Sequence, residues 1–106
     1  MAPEVKTKTI SLPRPNKLNP SLESTALKLM EEAGELAAAI IRFRGIDREK
    51  ADIGPEQAMA LSLELLDVAQ TAVTMMFVLE EQYGIDMSAA LDEHIAKLMR
   101  KGYLSL

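Results

Sequence analysis

A single long helix, bounded by Pro55 and Gly84, limits the folds open to this chain. Proline is favoured in the first turn of a helix and glycine directly after its end, so the sequence predicts a helix over residues 55–83. Apolar residues occupy nearly every side of its helical wheel, which is typical of a helix buried on several faces. At 1.5 Å per residue the helix would be roughly 43 Å long, more than the diameter of a compact domain of this size.

A second helix is predicted over residues 20–43. Asn19 and Pro20 resemble an N-cap followed by a first-turn proline, and Gly45 can end the helix. Its apolar residues recur at i, i+3, i+4 and i+7 and form one stripe: Leu22, Ala26, Leu29, Ala33, Leu36, Ala37 and Ile40. The polar residues 45–54 are predicted to form the loop to the long helix.

A third helix is predicted over residues 87–101, with Asp86 as its N-cap and Gly102 at its end. Its apolar stripe consists of Met87, Leu91, Ile95 and Leu98. The chain has only two Tyr, two Phe and no Trp, which favours helices over sheet. Because the other two helices cannot surround the long one, we expect an all-α helical bundle completed by dimerisation or by tetramer formation.

A length of 106 residues is enough for one domain, which we place at residues 19–106. Residues 1–18 contain three prolines and are predicted to form an extended or disordered N-terminal arm. The basic side chains of the arm are expected to be solvated: Lys6, Lys8, Arg14 and Lys17.

Composition argues against several classes of function. The formal net charge of -4 argues against binding to DNA or RNA polymers. Without cysteine the chain has no disulfide, thiolate metal site or cysteine nucleophile. The sequence has neither an unbroken apolar run as long as a membrane span nor an apolar N-terminal signal core, so we expect a cytoplasmic protein that does not bind membranes.

Two acidic motifs interrupt the predicted helices: Glu-Glu-Ala-Gly-Glu at residues 31–35 and Glu-Leu-Leu-Asp at residues 64–67. The spacing puts Glu32 with Glu35, and Glu64 with Asp67, on common helix faces, where like charges repel. Acids that face a packed interior need a cation or strongly raised pKa values. Since these ligands are all oxygens, the four acids are predicted to bind Mg²⁺ or Mn²⁺. The alternative is that they form solvated helix faces.

The two motifs, in this order and on helices, resemble those of the MazG-like nucleoside triphosphate pyrophosphohydrolases, members of the all-α NTP pyrophosphatase superfamily. The family pattern is Glu-Glu-x-x-Glu followed, after a variable gap, by Glu-x-x-Asp. The resemblance covers about residues 20–104. It implies an α-helical dimer or tetramer that hydrolyses a nucleoside triphosphate between the α- and β-phosphates.

The resemblance also implies roles for single residues. The Mg²⁺ ligands would be Glu32, Glu35, Glu64 and Asp67, and Glu32 or Glu35 would act as general base. Glu31 lies about 100° from Glu32 on the helical wheel, and it would orient water or pair with a base such as Lys28 on a neighbour. The phosphate contacts would come from the basic end of the third helix: Lys97, Arg100 and Lys101. The alternative for these bases is that they complement the helix dipole.

The sequence thus predicts Mg²⁺-dependent hydrolysis of ribo- or deoxyribonucleoside triphosphates to monophosphate and pyrophosphate, in house-cleaning or control of the nucleotide pool. The alternative is a non-catalytic helical oligomerisation or regulatory module that retains the acidic metal site. Release of pyrophosphate from mixed dNTPs with Mg²⁺ would distinguish the two.

Overall fold

The computed structural model describes residues 5–44 and 53–105. These residues form three helices and no strand: α1 (Leu22–Arg44), α2 (Pro55–Tyr83) and α3 (Met87–Arg100). The all-α prediction is confirmed, and α2 has the predicted bounds. The predicted stop at Gly45 and most of the predicted loop at 45–54 lie outside the described residues.

Local hydrogen bonds fix the ends of the helices. α1 begins later than predicted because Ser21, not Asn19, caps it. The Ser21 Oγ accepts from the Ser24 N–H at 3.0 Å, and the Ser24 Oγ accepts from the Ser21 N–H at 2.9 Å. Asp86 caps α3 as predicted. Gly84 ends α2 at φ 66°, a left-handed conformation that favours glycine.

α1 and α2 pack along each other, but the buried face of α1 is not the predicted stripe. Its buried positions and its half-buried apolar positions alternate at three- and four-residue spacing: Leu22, Thr25, Leu29, Glu32, Leu36, Ala39 and Phe43. The other predicted members of the stripe are exposed: Ala26, Ala33, Ala37 and Ile40. The prediction was wrong for these four residues because two polar residues, Thr25 and Glu32, occupy the contact with α2.

Most of the apolar surface of the single chain is uncovered. Among the described residues, only Ala39 and Val78 are fully buried apolar side chains. α3 has no buried residue and packs closely against neither α1 nor α2. The Cα radius of gyration is 17.2 Å, against about 13 Å expected for a compact chain of this length.

α2 is long and apolar enough to cross a membrane, judged by length and composition alone. The core helix of a soluble protein meets the same criterion. α2 also carries both acids of the second motif, Glu64 and Asp67. Acids near the middle of a membrane span are costly, so their presence favours a core helix.

The N-terminal arm lies along α2. The Arg14 guanidinium donates from Nε to the Glu81 Oε2 at 2.7 Å and from Nη2 to the Oε1 at 2.9 Å. The Gln70 amide on α2 donates to the Pro13 carbonyl at 2.8 Å. The expectation that Arg14 is only solvated was therefore wrong. Its partner is 67 residues away in the chain, and no local pattern indicates such a contact.

Candidate metal centre

Three carboxylates from α1 and α2 meet where the two helices pack. Glu32, Glu35 and Glu64 each present one oxygen, and these three oxygens lie within 4.8 Å of one another. Glu32 is buried on α1, Glu64 is half-buried on α2, and Glu35 is exposed. We call these three residues the acid cluster. The sequence predicted this meeting of acids from two helices.

One oxygen of the acid cluster lacks a partner. The Oε2 of Glu64 is buried and accepts no hydrogen bond from any described residue. A buried carboxylate oxygen is costly unless a donor or a cation reaches it. Oxygens of this kind are the ligands that Mg²⁺ and Mn²⁺ prefer. The acid cluster therefore fits a divalent cation, and Glu32, Glu35 and Glu64 are the residues that could hold one.

A lysine partly neutralises the α1 side of the cluster. The Nζ of Lys28 lies 3.2 Å from the Glu32 Oε1 and 3.3 Å from the Glu31 Oε1. Hydrogen bonds to Glu32 and Glu31 and the charges of both raise the pKa of Lys28. Glu31 thus pairs with Lys28 of its own helix, whereas the pairing expected for it was with such a base on a neighbour. It does not belong to the acid cluster.

Asp67, the fourth predicted ligand, lies outside the acid cluster. It is exposed on α2, one turn after Glu64, and it lines a groove together with Glu32. Its main-chain carbonyl accepts a hydrogen bond from the Thr71 hydroxyl at 3.1 Å. The structure therefore brings three of the four predicted ligands together and places the fourth beside them.

The predicted phosphate-binding residues, Lys97, Arg100 and Lys101, are exposed at the end of α3. Because α3 packs closely against neither α1 nor α2, no close packing among the described residues brings them to the acid cluster. Lys97 and Arg100 lie in the last turn of α3, where positive charge complements the helix dipole.

A groove of about 460 Å³ adjoins the acid cluster. Its walls come from the end of the arm, the start of α1 and the middle of α2. Sequence reasoning missed this groove because it treated the arm as solvent-exposed. One sequence signal could have indicated the α2 wall: Thr71 and Thr74 continue the polar stripe that begins at Glu64 and Asp67.

The acid cluster predicts a pH dependence of cation binding. The pKa of Glu35 is raised, first by the charge of Glu32, then by desolvation and by the charges of Glu31 and Glu64. An acid whose pKa is raised by folding destabilises the metal-free protein when it is ionised, and protonation relieves this as the pH falls through the raised pKa. A cation binds the ionised form, so it competes with that proton.

We therefore expect the affinity of the protein for Mn²⁺ to be lower at pH 5 than at pH 7. The measurement is a titration of the protein with Mn²⁺, a paramagnetic ion, at each pH. The Glu35→Gln variant should bind more weakly at both values and show a smaller dependence on pH. Glu23→Gln, which changes an exposed acid in the first turn of α1, is the matched control and should behave as the wild type. Equal affinities of the wild type at the two pH values would contradict this prediction.

Comparison with known proteins gives one family. The family model described as the MazG nucleotide pyrophosphohydrolase domain matches residues 20–102. No curated protein and no solved structure matches the chain significantly. The matched residues include α1, α2 and α3 and both acidic motifs. The chain therefore belongs to the MazG nucleotide pyrophosphohydrolase domain family.

Proposed function

We propose that this protein hydrolyses nucleoside triphosphates to monophosphate and pyrophosphate and depends on Mg²⁺ or Mn²⁺. The observation that carries the proposal is the unpartnered Oε2 of Glu64, buried in a group of three acids beside a groove. The family generally has this activity, and the acid cluster includes residues of both acidic motifs. The cytoplasmic location stays a prediction.

The acids of this chain would divide the chemistry between them. A cation held by Glu32, Glu35 and Glu64 would neutralise the triphosphate and lower the pKa of a bound water. Glu35 is suited to take the proton of the attacking water, because it is the exposed member of the acid cluster. The water oxygen would then bond to the α-phosphorus. The bond from that phosphorus to the oxygen bridging the α- and β-phosphates would break, and the bridging oxygen would leave with pyrophosphate. Lys28 holds the Glu32 carboxylate in place.

Two further parts of the site belong to the proposal. Asp67 would reach the acid cluster from its position one turn after Glu64 when a cation and a triphosphate are bound. The α3 bases, Lys97, Arg100 and Lys101, would contact phosphate in an assembly that brings α3 of one copy to the acids of another. That assembly would be a dimer or a tetramer, in which the uncovered apolar surface of α1 and α2 is buried.

The test is an assay of the purified protein with each common NTP and dNTP and with Mg²⁺. We expect equal amounts of nucleoside monophosphate and pyrophosphate, no orthophosphate, and complete loss of activity in EDTA. Orthophosphate as the first product would contradict the proposal. Mg²⁺ binding without turnover of any triphosphate would instead favour the non-catalytic module.

A further inference from the structure

The groove beside the acid cluster has one wall that precedes the matched family region. Pro15, Leu18 and Asn19 of the arm line it, whereas the family match begins at residue 20. This wall is therefore a feature that the family match does not account for.

Polar contacts with α2 hold the arm on both sides of the segment that lines the groove, residues 15–19. Before it, the Gln70 amide donates to the Pro13 carbonyl at 2.8 Å and to the Thr74 hydroxyl at 3.2 Å. Two hydrogen bonds join Arg14 to Glu81 in the same region. After it, the Gln82 amide donates to the Pro20 carbonyl at 3.3 Å. The wall is thus positioned by α2 and not only by the chain that follows it.

The charges of the groove do not suit a bare phosphate. Its acidic lining residues are Glu32 and Asp67, and its cation is Lys28. The Nζ of Lys28 is already within 3.3 Å of carboxylate oxygens of Glu31 and Glu32. A phosphate would therefore lie beyond the groove, at the cation of the acid cluster, and the groove itself would take an uncharged group.

The groove offers hydrogen-bond acceptors to such a group. The hydroxyls of Thr25, Thr71 and Thr74 each donate to a helix carbonyl, at 2.9, 3.1 and 2.8 Å. A hydroxyl that has donated its hydrogen can still accept. The oxygens of Thr25 and Thr71 can therefore receive N–H groups of a base or O–H groups of a sugar, whereas that of Thr74 already accepts from the Gln70 amide. A volume of about 460 Å³ lies in the usual range for small-ligand pockets.

We propose that the groove binds the nucleoside part of the substrate and that the arm, held by Arg14 and Glu81, is one of its walls. The inference rests on the proposed function, because that function places the phosphates at the acid cluster. Arg14 is a positioning residue here: it holds Pro15, Leu18 and Asn19 against the groove. Loss of its ion pair should weaken binding of the nucleoside and leave binding of the phosphates unchanged.

The test measures binding by calorimetry, with Mg²⁺ present, of two probes: pyrophosphate and the tightest-binding of dAMP, dCMP, dGMP and dTMP. For Arg14→Ala we expect the deoxynucleotide to bind about three- to fivefold more weakly, because an exposed ion pair contributes modestly to holding the arm while the hydrogen bonds from Gln70 and Gln82 remain. Pyrophosphate affinity should not change. The charge exchange Arg14→Glu with Glu81→Arg should restore deoxynucleotide affinity, which a general loss of structure would not allow.

Lys17→Ala is the matched control, because Lys17 is an exposed arm cation that forms no ion pair with any described residue. It should bind both probes as the wild type does. Unchanged deoxynucleotide affinity in Arg14→Ala, or an equal loss for both probes, would overturn the inference. So would a wild-type protein that binds pyrophosphate but none of the four deoxynucleotides.

The outcome of this binding test can be distinguished from the outcome of the assay for the proposed hydrolysis. Binding of the monophosphate requires no turnover, so a protein that releases no pyrophosphate can still show the selective effect of Arg14→Ala. That result would reject the hydrolase and retain the nucleoside groove. If the protein released pyrophosphate but Arg14→Ala left deoxynucleotide affinity unchanged, the hydrolase would be retained and the nucleoside groove rejected.

Discussion

Replacing Glu64 by glutamine should reduce pyrophosphate release by at least about 100-fold, the scale expected when one group that stabilises transition-state charge is lost. Glu64 supplies the α2 side of the acid cluster, and its unpartnered Oε2 is the oxygen that most needs a cation. Glutamine has nearly the same shape but no charge. The assay is the initial rate of pyrophosphate release at saturating Mg²⁺ and triphosphate.

The same substitution should leave the metal-free protein at least as stable as the wild type. It removes one charge from a repelling group, and the new amide can donate to the neighbouring carboxylates. Wild-type protein should gain about 2.7 kcal/mol when Mg²⁺ is at 100 times its Kd, because the ion binds only the folded state. Thermal melts of Glu64→Gln should show little or none of that gain.

Glu80→Gln is the control for Glu64→Gln, since it makes the same change at an exposed position of α2. It should keep wild-type rates and the wild-type response to Mg²⁺. If Glu64→Gln also kept both, the acids would be a solvated face and the metal-dependent hydrolase would be rejected.

Local sequence signals predicted the helices because the ends of each helix are determined by residues within a few positions of them. Pro55 and Gly84 mark the ends of α2, and Asp86 caps α3 through its own side chain. The start of α1 was misplaced because the sequence reasoning took Asn19 as the cap, whereas Ser21, two residues later, caps the helix. Helix periodicity then put Glu32 and Glu35 on one face, which is why the acid cluster could be predicted.

Features that depend on contacts between distant segments could not be predicted in this way. Burial of Glu32 and Thr25 on the face toward α2 contradicts the hydropathy pattern, which assigns polar residues to the surface. The place of the arm depends on Arg14 and Glu81, which are far apart in the chain. The roles of Asp67 and of the bases of α3 were predicted from their residue types. Their distance from the acid cluster is set by packing between helices, which no local pattern encodes.

Replacing Leu63 and Leu66 by glutamate should convert the proposed oligomer into a monomer. Together with Met59, both leucines lie on a face of α2 that α1 does not cover, and Leu63 is 58% exposed in the single chain. Burying a leucine contributes about 1.5–3 kcal/mol, and a dimer would bury each of them twice. We therefore expect the dissociation constant to rise on the order of 1,000-fold or more.

Sedimentation in detergent-free buffer at micromolar concentration measures this effect, and circular dichroism reports whether the monomer keeps its helices. We expect a lower melting temperature for the double variant, because Ala39 and Val78, the fully buried apolar side chains in the described part of the chain, are a small core. Gln57→Glu adds a negative charge at an exposed α2 position on a different face and should sediment as the wild type.

A wild-type protein that is a stable folded monomer would contradict the oligomer. If the wild type needed detergent to remain in solution, we would instead conclude that lipid covers the exposed face of α2. A second copy of the chain would bury that face in water, so an oligomer would need no detergent.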